Sequence, residues 1–272
     1  SREVRSRYDT GPFSGQLFVH VINVTGHDVV KYALDIYDDD TDAVSCTHDA
    51  NAWPSDLYAG LPAPAAGERV TLWVQNSHPV EIPANAIGLT RMGSEDVRWL
   101  GKKIAPYGSY ALNVSELLPD VTWPEQIEVL AGKHMVRPRY EIDTEVNRRI
   151  AHVNVERTDI ESDEALVELS GMVGKGYILP APVLPMEQYE TIVLPTPMST
   201  GQLELALKLL VYDSEGNEVH AHRMGRLSRD HAVALSVNRI LTEAGLGLAD
   251  FTGHLELTYD LTDESAADGW LH

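Results

Sequence analysis

Residues 111–118 read ALNVSELL and residues 234–241 read ALSVNRIL, and this pair of stretches decides how the chain is organised. The two stretches align without a gap. Upstream of them, GLPAP at 60–64 is similar to ILPAP at 178–182, so the order of the matches is the same in both halves. Similarity that keeps its order over a long interval is typical of repeated structural units. The sequence therefore predicts two copies of one unit.

The segments around these matches have the composition of β-strands. Fifteen prolines and twenty glycines separate short runs of aliphatic and aromatic residues, as in β-sandwiches and barrels. We therefore predict a mainly β fold of two tandem antiparallel β-sandwich-like units with short helical segments, related by internal duplication. The predicted strands lie within QLFVHVINV (16–24), VVKYALDIY (29–37), RVTLWVQN (69–76), QIEVLAGKHMVRPRYEI (126–142), IAHVNVER (150–157), ELALKLLVYD (204–213) and GHLELTYDL (253–261).

The repeat also divides the chain into domains. We expect an N-terminal β-sandwich unit at 1–160 with an extra hairpin, a linker or short helix at 161–175, and a C-terminal β-sandwich unit at 176–272. Helical periodicity is scarce, and the two repeated stretches give the clearest short helices, at 114–119 and 237–245.

An acidic cluster near the N-terminus has part of the spacing of a calcium loop. Asp38, Asp40 and Asp42 stand where such a loop has its first three ligands. However, Ala43 replaces the glycine of the sharp bend, and Asp49 replaces the final glutamate. The same stretch, YDDDTDAV, aligns with the ordinary polar turn YDSEGNEV of the second copy. We favour a hairpin turn that holds a cation weakly at most.

Four histidines form the best candidate for a metal site. His220 and His222 are two residues apart, so both imidazoles lie on one face if the segment is a strand. His231 and His254 follow and are candidates to complete a site for a divalent metal such as zinc or iron. The alternative is a surface or half-buried pair, which we favour because the first copy has no histidines at the equivalent positions.

A basic stretch in the first half is a candidate site for an anion or an acidic partner. It contains Lys133, His134, Arg137 and Arg139, and the two arginines share one face of a strand if the run is extended. The alternative is that these cations pair with acids of the same chain. We favour the alternative, because the formal net charge is −20.

Composition excludes several classes of protein. The charge of −20 disfavours nucleic acid and anionic membranes as partners, and no apolar run is long enough to span a bilayer. A single cysteine, Cys46, excludes an intramolecular disulfide framework. We see no signal segment. The YDSEGNEV turn, followed by a strand and a short helix, resembles that of small bacterial two-layer β modules. From the single cysteine and from the lack of a signal or transmembrane segment in this sequence, we expect the bacterial cytoplasm or periplasm as the compartment.

Two classes of function follow from these observations. The first is a non-enzymatic binding or structural protein, which acts through a face of the sandwich on a protein, on a carbohydrate or on another copy of itself, with no cofactor. The second is a metal-dependent enzyme that uses the histidines of the C-terminal unit. The sequence contains no GxSxG or phosphate-loop motif, so we favour the first.

Overall fold

The computed structural model describes residues 33–37, 44–48, 54–135, 138–155, 179–195, 204–247 and 251–260. These residues form a mainly β protein with several antiparallel sheets. We call residues 54–155 the first unit and residues 179–260 the second unit. The strands are β1 (Ala33–Tyr37), β2 (Val44–His48), β3 (Leu57–Pro62), β4 (Arg69–Gln75), β5 (Gly88–Arg91), β6 (Arg98–Trp99), β7 (Ser109–Asn113), β8 (Gln126–Leu130), β9 (Arg139–Asp143), β10 (Arg148–His152), β11 (Asn154–Val155), β12 (Leu179–Val183), β13 (Ile192–Val193), β14 (Glu204–Asp213), β15 (Glu218–Ser228), β16 (Leu235–Ser236) and β17 (Gly253–Tyr259). The helices are α1 (Val114–Leu117) and α2 (Val237–Glu243).

The first unit contains two antiparallel sheets that share one hydrophobic core. Their strand orders are β10-β9-β4-β7 and β11-β3-β8-β5-β6. In β4, RVTLWVQ, every second side chain from Val70 to Val74 is fully buried, as a strand with one face on the core requires. Leu89 of β5 and Ile127 of β8 enter the same cluster from the other sheet.

The second unit is built on one four-stranded sheet in the order β12-β17-β14-β15. Leu209 and Val211 of β14 are fully buried and belong to one cluster with Val237 and Leu241 of α2. β16, which pairs with β13, directly precedes α2 and contributes Leu235 to the same cluster.

Corresponding elements occur in both units in the same arrangement. The order β3-β8-β5-β6 in one sheet matches β12-β17-β14-β15 in the other. Each predicted helix forms directly after a strand, and each begins with a side-chain cap, from Asn113 in α1 and from Ser236 in α2. The first helical residues, Val114 and Val237, are both fully buried.

Several predicted strands are confirmed, and one long run differs. ELALKLLVYD forms β14 over its full length. The predicted run 126–142 instead divides into β8 and β9, because Gly132 and Lys133 have positive φ angles of 51° and 60°. Two consecutive residues of this kind are what a type I′ turn requires, and the amide of His134 closes that turn on the carbonyl of Ala131.

The two strands that flank the acidic cluster pair with each other, as a hairpin requires. β1 and β2 are antiparallel, with Tyr37 opposite Val44. Asp38, Asp40 and Asp42 themselves lie outside the described residues, as does the predicted linker at 161–175. The weak cation site and the domain boundary therefore stay predictions.

β15 is an irregular strand. Its register with β14 shifts at two places, so Val219 and Met224 stand opposite no residue of β14. Gly225, next to the second shift, has a φ of 71°, which a glycine adopts without strain. These shifts are β-bulges, which coil a strand and break its regular ladder of hydrogen bonds.

The phenol of Tyr140 gives a pH-dependent prediction. Its side chain is buried in the core of the first unit, and this burial raises its pKa to about 12. An unfolded tyrosine ionises near pH 10. We therefore expect the free energy of unfolding to be unaffected by this group below about pH 10 and to fall between about pH 10 and 12, because only the unfolded chain releases the proton there.

Urea unfolding of the wild type and of Tyr140→Phe from pH 8 to 12 tests this expectation. The variant should be destabilised less by high pH than the wild type. Identical pH dependence of the two proteins would contradict the assignment.

Candidate binding groove between the two units

The two units are joined by a short backbone pair. Residues 124–126 of the first unit and 230–232 of the second run antiparallel, with Glu125 directly opposite His231. Backbone hydrogen bonds of 2.9 Å and 2.6 Å lie on either side of this pair. Because facing residues of an antiparallel pair project their side chains to the same side, Glu125 and His231 are neighbours across the junction.

A buried ion pair stabilises the same junction. The guanidinium of Arg229 donates to Glu128 Oε1 at 3.2 Å, and both residues are more than nine-tenths buried. Burial raises the pKa of the Glu128 carboxyl, although Arg229 and a backbone amide of Gly93 oppose this effect. The upward direction of this pKa shift means that loss of hydration of the carboxylate outweighs the stabilisation of its charge by Arg229 and Gly93.

An open groove of about 540 Å³ lies along this junction. This volume is within the range of ordinary ligand sites. The first unit supplies most of the wall and the second unit supplies one side. The lining residues are Arg91, Met92, Gly93, Ser94, Thr122, Trp123, Pro124, Glu125, Gln126, Asp230 and His231.

A row of charged and polar side chains crosses the groove. Arg91 Nε lies 2.9 Å from Glu125 Oε2 on the first unit, and His231 Nδ1 lies 2.8 Å from Asp230 Oδ1 on the second. The hydroxyl of Ser228 also donates to Asp230. We call Arg91, Glu125, His231 and Asp230 the polar row. Its four side chains are between about one-third and one-half exposed, so a ligand in the groove can reach them.

The hydrogen bonds within the polar row fix which atoms remain for a ligand. Hydrogen bonds from Ser228 and His231 lower the pKa of the Asp230 carboxyl, so Asp230 is ionised at neutral pH. An ionised carboxylate only accepts hydrogen bonds, so Nδ1 of His231 must donate. In the tautomer that carries its proton on Nδ1, the imidazole presents Nε2 as an acceptor.

The amide of Gln126 is buried at the same junction. Gln126 is 2% exposed, and its Nε2 has no hydrogen-bond partner among the described residues. Gln126 also lines a small void of about 10 Å³ between the units, which is about the volume that one water molecule needs. A single bound water at this void would satisfy the amide.

The structure separates the four candidate metal ligands. His222 pairs with Leu209 and His220 pairs with Val211, so both imidazoles lie on the core side of the sheet at its edge. Their ring centroids are 6.4 Å apart. His254 instead pairs with Tyr212, whose register places it on the opposite face of the sheet.

The other two histidines make contacts of their own. His254 stacks on Tyr212 with ring centroids 4.9 Å apart, and His231 belongs to the polar row. Among the described residues, no group of three or more His, Cys, Asp and Glu side chains is placed to hold a metal ion. The structure therefore brings together His220 and His222 but not the full predicted set.

The predicted basic stretch is not one continuous surface. Lys133 lies in the turn after β8, where its Nζ is 3.5 Å from Asp56, and His134 is the last residue of that turn. Arg139 is buried in β9, 8% exposed, and Arg137 lies outside the described residues. Other arginines of this region pair with acids of the first unit, as in Arg149 with Glu68 at 3.0 Å.

Sequence reasoning did not single out most of the groove. Glu125, Gln126, Glu128 and Trp123 belong to no sequence motif. His231 was considered only as a partner of a metal at His220 and His222. No local pattern predicts that the turn after β15 docks on β8.

The buried ion pair gives a prediction about the junction. Replacing Arg229 with Met leaves the Glu128 carboxylate buried without its counter-charge, so we expect the free energy of unfolding to fall by about 3–5 kcal/mol. The double variant Glu128→Leu/Arg229→Met removes both charges and should recover most of this loss.

Denaturant unfolding at pH 7.5 measures both effects. Arg98→Met is the matched control, because Arg98 makes an exposed ion pair with Asp96 at 2.9 Å and should cost no more than about 1 kcal/mol. A cost for Arg229→Met as small as that of the control would contradict the structural role of the buried pair.

No protein-family model matches the sequence, and no curated protein is significantly similar to it. Within the described ranges, no helix has the length and apolar character needed to cross a bilayer.

Proposed function

We propose that this protein is a non-enzymatic binding protein, built from two tandem β-sandwich-like units that arose by duplication, with its ligand in the groove between them. The observation that carries this proposal is the polar row. Four solvent-accessible side chains from both units lie along one groove, and each is oriented by a neighbour. Such an arrangement is typical of a site prepared for a polar ligand.

The proposed duplication is supported by strand order. The order β3-β8-β5-β6 of the first unit matches β12-β17-β14-β15 of the second. In each unit, the strand that precedes the helix pairs with a strand outside that order, β7 with β4 and β16 with β13.

Binding is favoured over catalysis by the state of the groups in the groove. The carboxylate of Glu125 is held by Arg91, and that of Asp230 by Ser228 and His231. Hydrogen bonding of this kind orients a carboxylate, which suits recognition of hydroxyl and amide donors.

The second candidate function is a metal-dependent enzyme on the second unit. It is favoured by one observation, the adjacent placement of His220 and His222 on one face. Imidazole is a common ligand for zinc, iron and copper. The remaining coordination positions would be taken by water or by other side chains.

Thermal-shift measurements with a defined library of sugars, amino acids and short peptides test the binding proposal. A ligand that binds only the folded protein stabilises it, so a compound at a hundredfold excess over its Kd should raise Tm by roughly 5 °C or more. This rise should disappear in Glu125→Ala/His231→Ala.

The control for that experiment is Glu81→Ala, which breaks an exposed ion pair with Lys103 outside the groove and should respond as the wild type does. If no compound stabilises the wild type, or if every active compound stabilises the double groove variant equally, the groove is not the binding site.

Elemental analysis of untagged protein by inductively coupled plasma mass spectrometry tests the second candidate. A metal-dependent enzyme should retain about one transition metal per chain after dialysis, and His220→Ala/His222→Ala should lose it. His254→Ala is the matched control and should keep the metal, because its ring lies on the other face of the sheet. Absence of stoichiometric metal in the wild type would remove this candidate.

A further inference from the structure

We infer that the ligand of the groove is a carbohydrate, with a sugar ring against Trp123 and its hydroxyl groups hydrogen-bonded to the polar row. This inference rests on the proposed binding function and specifies its ligand. It follows from the hydrogen-bonding capacity of the polar row, from the aromatic residue beside it and from the charge balance of the groove.

The polar row offers several acceptors and one set of donors. Glu125 and Asp230 each have a carboxylate oxygen beyond the one that binds the neighbouring residue, and His231 has Nε2. Arg91 donates to Glu125 and to the backbone carbonyl of Asp120, and it has five N–H groups in total. A matching ligand must donate several hydrogen bonds and also accept from a guanidinium. Neighbouring hydroxyl groups do both.

An aromatic side chain lies beside these groups. Trp123 is half-buried and lines the same groove as the polar row. The indole presents an apolar face and a single N–H donor. The C–H face of a sugar ring is apolar and its edge carries hydroxyl groups, so a sugar can contact Trp123 and the polar row together.

Charge argues against a cationic or strongly anionic ligand. A cation would have to compete with Arg91 for Glu125, and with the hydrogen bonds that Ser228 and His231 donate to Asp230. An anion would meet both carboxylates at the junction. A neutral ligand rich in hydroxyl groups avoids both costs.

Shape gives a bound on the size of the ligand. The groove is open to solvent along the junction and has a volume of about 540 Å³, in the range that takes ligands larger than a single small ring. We therefore expect a short stretch of an oligosaccharide to bind more tightly than a monosaccharide.

The test uses the full chain on an immobilised panel of bacterial, fungal, plant and animal glycans, followed by isothermal titration calorimetry with the soluble oligosaccharide of the best signal. We expect binding that weakens at least about tenfold in Trp123→Ala, because the ring contact is lost. Trp123→Tyr keeps an aromatic face and should retain more of the affinity. Glu125→Gln keeps the side-chain size and should weaken binding severalfold.

Two controls separate loss of the site from loss of the fold. Trp99→Ala removes an exposed tryptophan (45% exposed) on β6, which does not line the groove, and it should bind as the wild type does. Tm and circular dichroism of each groove variant should match those of the wild type. Equal affinity of Trp123→Ala and Trp99→Ala for the glycan would overturn the inference.

The possible failures are distinguishable. If no glycan binds, but a peptide or amino acid stabilises the wild type and not Glu125→Ala/His231→Ala, then the carbohydrate inference is wrong and the binding function stands. If neither glycans nor any other compound shows an effect that depends on the groove, both are wrong.

Discussion

The burial of the Glu128–Arg229 ion pair is the constraint on which the groove depends. Two charges removed from water are tolerated only where each finds the other in good geometry, so the pair allows few relative positions of β8 and the turn after β15. The adjoining backbone pair of 124–126 with 230–232 fixes the register. Together they place Glu125 opposite His231, and the polar row follows from that placement.

Two turns at aligned positions of the sequence have different surroundings in the structure. When ALNVSELL is aligned with ALSVNRIL, Asp230 corresponds to Tyr107. In the second unit this turn docks on β8. In the first unit it projects Tyr107, which is 62% exposed and has a φ of 58°, an unusual value for a bulky side chain. The aligned turns thus differ in role: one joins the units, and the other presents an aromatic ring to solvent.

Patterns within short stretches of sequence predicted the strands and helices that depend mainly on neighbouring residues. The β-rich runs at 69–76 and 204–213 and the short helical stretches at 114–119 and 237–245 were visible in single segments, and those strands and helices form. The turn at Gly132 was not predicted, because β-forming residues lie on both sides of Gly132 and Lys133, the two residues with positive φ.

The candidate site could not be predicted in the same way. Glu125 and His231 are far apart in the sequence and become neighbours only because two units dock. His220 and His254 are closer in sequence, yet their strands turn them to opposite faces. The register between strands that are distant in the chain cannot be read from the sequence of either strand alone.

The two bulges of β15 have a consequence for the behaviour of the protein at high concentration. In the described part of the chain, β15 pairs with β14 on one side only, and an eleven-residue strand of that kind is long enough to recruit a strand from another molecule. Its coiled backbone and the charged residues Arg223 and Arg226 make it a poor template for such growth. These features of β15 disfavour the addition of a strand from another molecule to this edge of the sheet.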